Sequence, residues 1–178
     1  MSTYNMILST NESTVVTEYV PEEKRSDAYQ SEAALEAAFI RMLGEQGYEY
    51  VQIADEAALI ANLRAQLEAL NSYRFSEQEW QRFFKEKIAN TNEGIVEKTR
   101  KIQEDYVQNL TRDDGSTMNI ALIDKQHIHN NRLQVINQYE VGAENGARHD
   151  NRYDVTILVN GLPLVHVELK RRGAEGGV

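Results

Sequence analysis

The chain of 178 residues has no cysteine, which excludes disulfides and thiolate metal sites. Proline is scarce, with only Pro21 and Pro163, so there is no proline-rich linker between domains. No apolar run approaches the roughly 18 to 20 residues of a membrane span. The opening MSTYNMILSTNEST lacks the basic start and apolar stretch of a signal peptide. Together these absences point to a soluble protein of the reducing cytoplasm, away from membranes. There is no internal repeat and no Gly-x-x-x-x-Gly-Lys nucleotide loop. Basic charge is also short: 19 lysines and arginines face 28 acids, for a net charge of −9. That weighs against nucleic-acid binding, which draws much of its affinity from phosphate contacts. The deficit is uneven, however. Between Arg148 and Arg172 the balance is +2, leaving −11 for the remainder.

What is present fits one ordinary globular domain, with 41% hydrophobic and 26% charged residues. The first part, 1–28, reads as polar and irregular, with one strand at Thr14–Tyr19. Ser31 can cap a helix whose face carries Leu35, Phe39, Met42 and Leu43 and which ends at Gly44 and Gly47. A short strand at Tyr48–Ile53 follows. A second helix covers about Glu56–Leu70, with Ile60, Leu63, Leu67 and Leu70 at helical spacing. Ser76-Glu77-Gln78-Glu79 is a capping box, and the helix it opens sets Trp80, Phe83, Phe84 and Ile88 on one side. A fourth helical stretch runs over about Glu93–Glu104.

Beyond residue 105 the period becomes strand-like. Tyr106–Thr111, Met118–Ile123 and Leu133–Val141 are expected strands, with Asp113-Asp114-Gly115 as the turn between the first two. GAENGARHDN (142–151) reads as a flexible loop. YDVTILV (153–159) and PLVHVELK (163–170) then flank Asn160-Gly161, a strong hairpin turn. Helices first and sheet afterwards give an α+β or α/β fold: a largely helical part at 55–104 and a sheet with the hairpin at 105–172. Strand order does not follow from the pattern.

The hairpin carries the chemistry. Asp154 lies on one strand and Glu168-x-Lys170 on the next, among apolar neighbours where charged groups need partners or a purpose. Two carboxylates and a backbone carbonyl, here that of Leu169, form a hard oxygen site suited to Mg²⁺. Such an ion can polarise a phosphodiester and activate water, with Lys170 orienting that water or neutralising charge. The geometry imposes a condition. A two-residue turn pairing Val159 with Leu162 and continued regularly sets Asp154 opposite Val167, sending Glu168 through the other face. An odd loop or a bulge is therefore required. The competing reading is a hairpin whose three charged residues form a surface salt-bridge cluster.

NRYDVTILVNGLPLVHVELKRRG resembles the nuclease segment of the restriction (R) subunits of type I restriction–modification enzymes, within the PD-(D/E)xK nuclease superfamily. YQSEAALEAAFIRMLGEQGYEY (29–50), EGIVEKTRKIQEDYV (93–107) and NIALIDKQHIHNNRLQVINQYE (119–140) resemble other parts of the same domain. The resemblance implies a restriction-endonuclease-like core at 29–178, a mixed sheet flanked by helices with an inserted helical region. It implies Asp154 and Glu168 as metal-binding carboxylates, Lys170 as catalytic lysine, and Mg²⁺-dependent cleavage of double-stranded DNA. Glu32 matches a position where related nucleases place an additional acid, though a glutamate also suits a helix N-terminus. The resemblance further implies modification (M) and specificity (S) subunits as partners. The family's Gln-x-x-x-Tyr helix and ATP-driven motor are not in this sequence, so the domain is expected to be incomplete at its C-terminus and inactive alone. ATP is implied only for the motor.

Other residues carry less. His127 and His129 lack a third ligand and read as a surface loop. His149 and Asp150 sit beside the hairpin without a defined role. His166 is expected to face away from Glu168 and Lys170 and to pack in or against the core. The Trp80, Phe83, Phe84 stripe reads as core rather than a base-stacking platform. Arg152, Arg171 and Arg172 are candidate DNA contacts. Two alternatives remain open: a stand-alone nuclease of the same superfamily without a motor, and a non-catalytic module docking partner subunits through the acidic helical half.

Overall fold

The computed structural model describes residues 4–9, 15–19, 31–141 and 151–169, which belong to two units, Met1–Gln30 and Ser31–Val178. In the first, β1 (Tyr4–Ser9) pairs antiparallel with β2 (Val15–Tyr19). The strand read at Thr14–Tyr19 is therefore present, and Tyr4–Ser9, read as irregular, is its partner.

The second unit begins with α1 (Glu32–Glu45), where Ser31 accepts from the Ala34 N–H as N-cap. Leu35, Phe39 and Leu43 fall at i, i+4 and i+8, and Leu43 is buried. Met42, read as part of that face, is 52% exposed, because the apolar stripe is narrower than the sequence suggested. After β3 (Glu49–Tyr50), Asp55 caps α2 (Glu56–Asn71), accepting from Ala58 N–H at 2.8 Å. Ser76 and Glu79 form the capping box of α3 (Glu77–Phe83), which runs into a π-helical turn at Phe84–Ile88. Then come α4 (Ile95–Gln103), the antiparallel pair β4 (Val107–Thr111) and β5 (Thr117–Ala121), and the strands β6 (Leu133–Val141), β7 (Asn151–Val159) and β8 (Leu162–Val167). Residues 142–150 lie outside the described residues.

The main sheet is mixed, in the order β3-β6-β7-β8, with β3 parallel to β6 and the other pairs antiparallel. Both faces of its centre are covered. On one, Phe39, Ile40 and Leu43 of α1 pack on Val135 and Val155. On the other, Ala58 and Leu59 of α2 pack with Ile53 on Ile136 and Leu158. Burial on both faces explains why β7 reads as a nearly continuous apolar run from Val155 to Val159, interrupted by Thr156. A larger core joins Leu63 and Leu67 of α2 to Phe75, Trp80, Phe83, Leu110 and Ile120. Trp80 and Phe83 are thus core residues, and Phe84 packs partly buried against the same cluster.

This core has a buried polar tie. Glu79 is 4% exposed and accepts from Tyr73 Oη and from the Ser76 and Asp113 N–H groups. The Ser76 N–H, followed by Tyr73 and Asp113, holds its carboxyl below the usual range. Helix α3 is thereby fastened to the β4–β5 turn.

Candidate metal centre on the β7–β8 hairpin

The hairpin begins from a locked turn. Asn160 and Gly161 both have positive φ, 51° and 80°, the combination of a type I′ turn. This turn is buried, unlike most hairpin tips. A Cβ on Gly161 would lie 2.6 Å from the Leu63 Cα, so glycine is required for space as well as for φ. Asn160 is 1% exposed. Its amide donates to Leu122 O (3.0 Å) and Asn131 Oδ1 (2.8 Å), and its carbonyl oxygen accepts from Arg132 N–H (2.8 Å).

From this turn the pairing starts as Val159–Leu162 and Leu158–Pro163, an even loop. Continued regularly, it would separate Asp154 from Glu168. Instead the register shifts between Ile157 and Leu158, and Ile157 faces Val165, leaving Leu164 as the extra residue. The sequence demanded an odd loop or a bulge, and the structure has the bulge. Beyond it Thr156 faces His166 and Val155 faces Val167. One further step of that register puts Asp154 opposite Glu168 on the same face.

The carboxylate of Asp154 reaches across the strands: its Oδ2 accepts from the Leu169 N–H at 2.6 Å. Val167 and Leu169 turn to the opposite face and pack against the α1 cluster. Asp154 is half-buried and Glu168 is exposed, so the pair lies where the hairpin opens to solvent.

His166 requires a correction. A strand has a period of two, so His166 shares the face of Glu168 and does not turn away from it. It is exposed, and its Nδ1 lies 3.0 Å from Oγ1 of the buried Thr156. Partial desolvation lowers its pKa from the ordinary value. The even spacing 166, 168 was the signal for this neighbour of the carboxylate pair.

Glu32 is exposed in the first turn of α1. Among the described residues no three histidine or acidic side chains gather closely enough to hold an ion, so Glu32 does not complete a three-acid cluster with Asp154 and Glu168. One turn along the same helix, Glu36 accepts from Asn137 Nδ2 on β6 at 2.6 Å, and Asn137 accepts from Tyr50 Oη. Glu36 was not singled out from the sequence, although its i+4 spacing from Glu32 places both on one stripe. His127 and His129 are exposed in the loop before β6, where Asp124 accepts from the His127 N–H. Lys170, Arg171, Arg172, His149 and Asp150 lie outside the described residues, as does the Arg152 side chain.

Residues 29–177 match the family model for the type I restriction enzyme R protein N terminus. The chain belongs to that family. Among curated relatives, the EcoprrI endonuclease subunit of Escherichia coli is 46% identical over 168 residues, covering 94% of this chain and 52% of that protein. The SsaAORF53P endonuclease subunit of Staphylococcus saprophyticus is 39% identical over 152 residues, and the SauCOLORF180P subunit of Staphylococcus aureus 39% over 153. The chain spans about half the length of the first and 15% and 16% of the others. For an R protein N terminus, the donors at the hairpin mouth are well suited to a hard divalent cation: two carboxylates and backbone oxygen, without sulfur.

Proposed function

We propose that this chain is the nuclease-bearing part of a type I restriction R subunit that cleaves double-stranded DNA with Mg²⁺. The observation that carries the reading is the bulge at Leu164, which brings Asp154 and Glu168 to one face despite an even turn. Asp154, Glu168 and the Leu169 carbonyl would hold the ion, with Lys170 as catalytic lysine. When bound, Mg²⁺ would supply charge neutralisation and a more acidic water. The chain's own contribution is placement. The buried turn fixes the register, the bulge sets parity, and the Leu169 N–H orients Asp154. The exposure of Glu168 leaves the pair open to a phosphodiester. In the complete subunit, cutting would accompany ATP-driven translocation by a separate motor, in a cytoplasmic complex with modification and specificity subunits. The names of the curated relatives, all endonuclease subunits, support this reading.

The test is cleavage of duplex DNA with Mg²⁺ by the complete subunit in its complex. Asp154→Asn, Glu168→Gln and Lys170→Ala should each reduce cutting at least a hundredfold while ATP hydrolysis continues. Cutting at the native rate by any one variant would reject that residue's assignment.

A further inference from the structure

A groove of about 530 Å³ lies between α4, the π-helical turn and the start of β8. Its walls are apolar, formed by Ile88, Ile95, Ile102, Leu162 and Leu164. Ile95 and Ile102 face it from α4 with Thr99 between them, at spacings of four and three. No residue of α4 is buried, and Ile95 is 80% exposed. Apolar surface left open in this way marks an interaction site more often than it serves the fold.

The charged lining has one sign. Lys87, Lys98 and Lys101 border the groove, and among the described residues no acid does, in a chain of net charge −9. Lys101 is engaged by Glu93 at 2.5 Å, leaving Lys87 and Lys98 as the cations offered to an occupant.

The neighbouring sheet edge limits the shape of that occupant. Strand β8 is the last in the sheet order, but Pro163 supplies no N–H and the bulge at Leu164 breaks the repeat. Both are devices that blunt an edge against strand addition. An incoming helix needs no such ladder.

We propose that the groove seats an acidic amphipathic helix of another subunit of the assembly, its apolar stripe between α4 and β8 and its carboxylates on Lys87 and Lys98. Only the source of the helix rests on the multisubunit reading above; the nuclease assignment is separate. The probe is a designed 18-residue helix with leucine at i, i+3, i+4 and i+7 and glutamate on both flanks, measured by fluorescence anisotropy on this chain. A second peptide replaces every glutamate with lysine.

The acidic peptide should bind at least tenfold tighter than the basic one. Lys87→Glu with Lys98→Glu should reverse that preference, and Ile95→Asp, at a surface position that folding does not need, should abolish binding of both. In the full complex, Ile95→Asp should release a partner subunit while Asp154→Asn does not. Equal binding of the two peptides, or an unchanged preference in the double variant, would overturn the proposal. So would displacement of the peptide by duplex DNA, concentration-dependent self-association lost in Ile95→Asp, or an intact complex in that variant.

Discussion

The two ends of the β7–β8 hairpin are built from the same strands yet follow opposite rules. At the turn, Leu158, Asn160 and Leu162 are almost fully buried, and Asn160 spends its amide on three partners. At the mouth, Asp154 is half-buried and Glu168 exposed, and Asp154 accepts from the Leu169 N–H. The first end decides where every later residue points, and the second carries the charges that this placement serves. A charged pair gathered for a cation costs stability rather than adding it. Rigidity is therefore supplied about six residues away, where burial is cheap. Substitutions at the turn should damage folding first, and substitutions at the mouth should damage function while the fold persists.

The largest effect should come from Gly161→Ala. The new Cβ would meet the α2 backbone at Leu63, and φ +80° strains any L side chain. Overpacking and backbone strain together should cost about 3 kcal/mol or more. Urea denaturation measures this, and a loss below about 1 kcal/mol would show that the turn is not the lock. Asn160→Asp should cost less, about 2 kcal/mol, because it keeps the shape but loses the donor to Leu122 O and Asn131 Oδ1. Comparing Asn160→Asp with Asp154→Asn by the same denaturation sharpens the contrast. The turn variant should unfold at lower urea, and the mouth variant should stay within about 0.5 kcal/mol of the native chain.

Much of this arrangement was legible because its determinants are local. Ser31 and the Ser76–Glu79 pair announce helix starts through their own side chains, and Asn160-Gly161 announces its turn through φ; the Asp55 cap of α2 was not read. The need for an odd loop or a bulge was also legible, since alternation alone forbids an even, regular hairpin from joining Asp154 to Glu168. Its position at Leu164 was not, because a bulge can be placed at any rung with the same result for parity. Strand β3 was overestimated as Tyr48–Ile53. It pairs only at Glu49 and Tyr50, in parallel with a β6 more than eighty residues away, before Ile53 turns into the core beneath α2. The π-helical turn after Phe83 carries no sequence mark of its own. His166 was misplaced although the period of two was sufficient to place it.

The smallest effect should come from the change that appears most disruptive, deletion of Leu164. In the observed register Leu164 has no partner, and Leu158–Pro163 is followed directly by Ile157–Val165. Removing it joins those two pairs into a regular ladder and leaves Thr156–His166 and Val155–Val167 unchanged, so Asp154 stays opposite Glu168. One added residue between Val165 and Val167 does the reverse, because it shifts Glu168 by one position and turns it through the sheet. The deletion should keep Mg²⁺ binding, followed by calorimetry, within about threefold of native, at a stability cost of about 1 kcal/mol from the lost local twist and exposed apolar contact. The insertion should lower Mg²⁺ affinity at least tenfold. If deletion and insertion were equally harmful, the local bend at Leu164 would be what the site requires, and parity would not be its determinant. If both were harmless, Asp154 and Glu168 would not act as a pair.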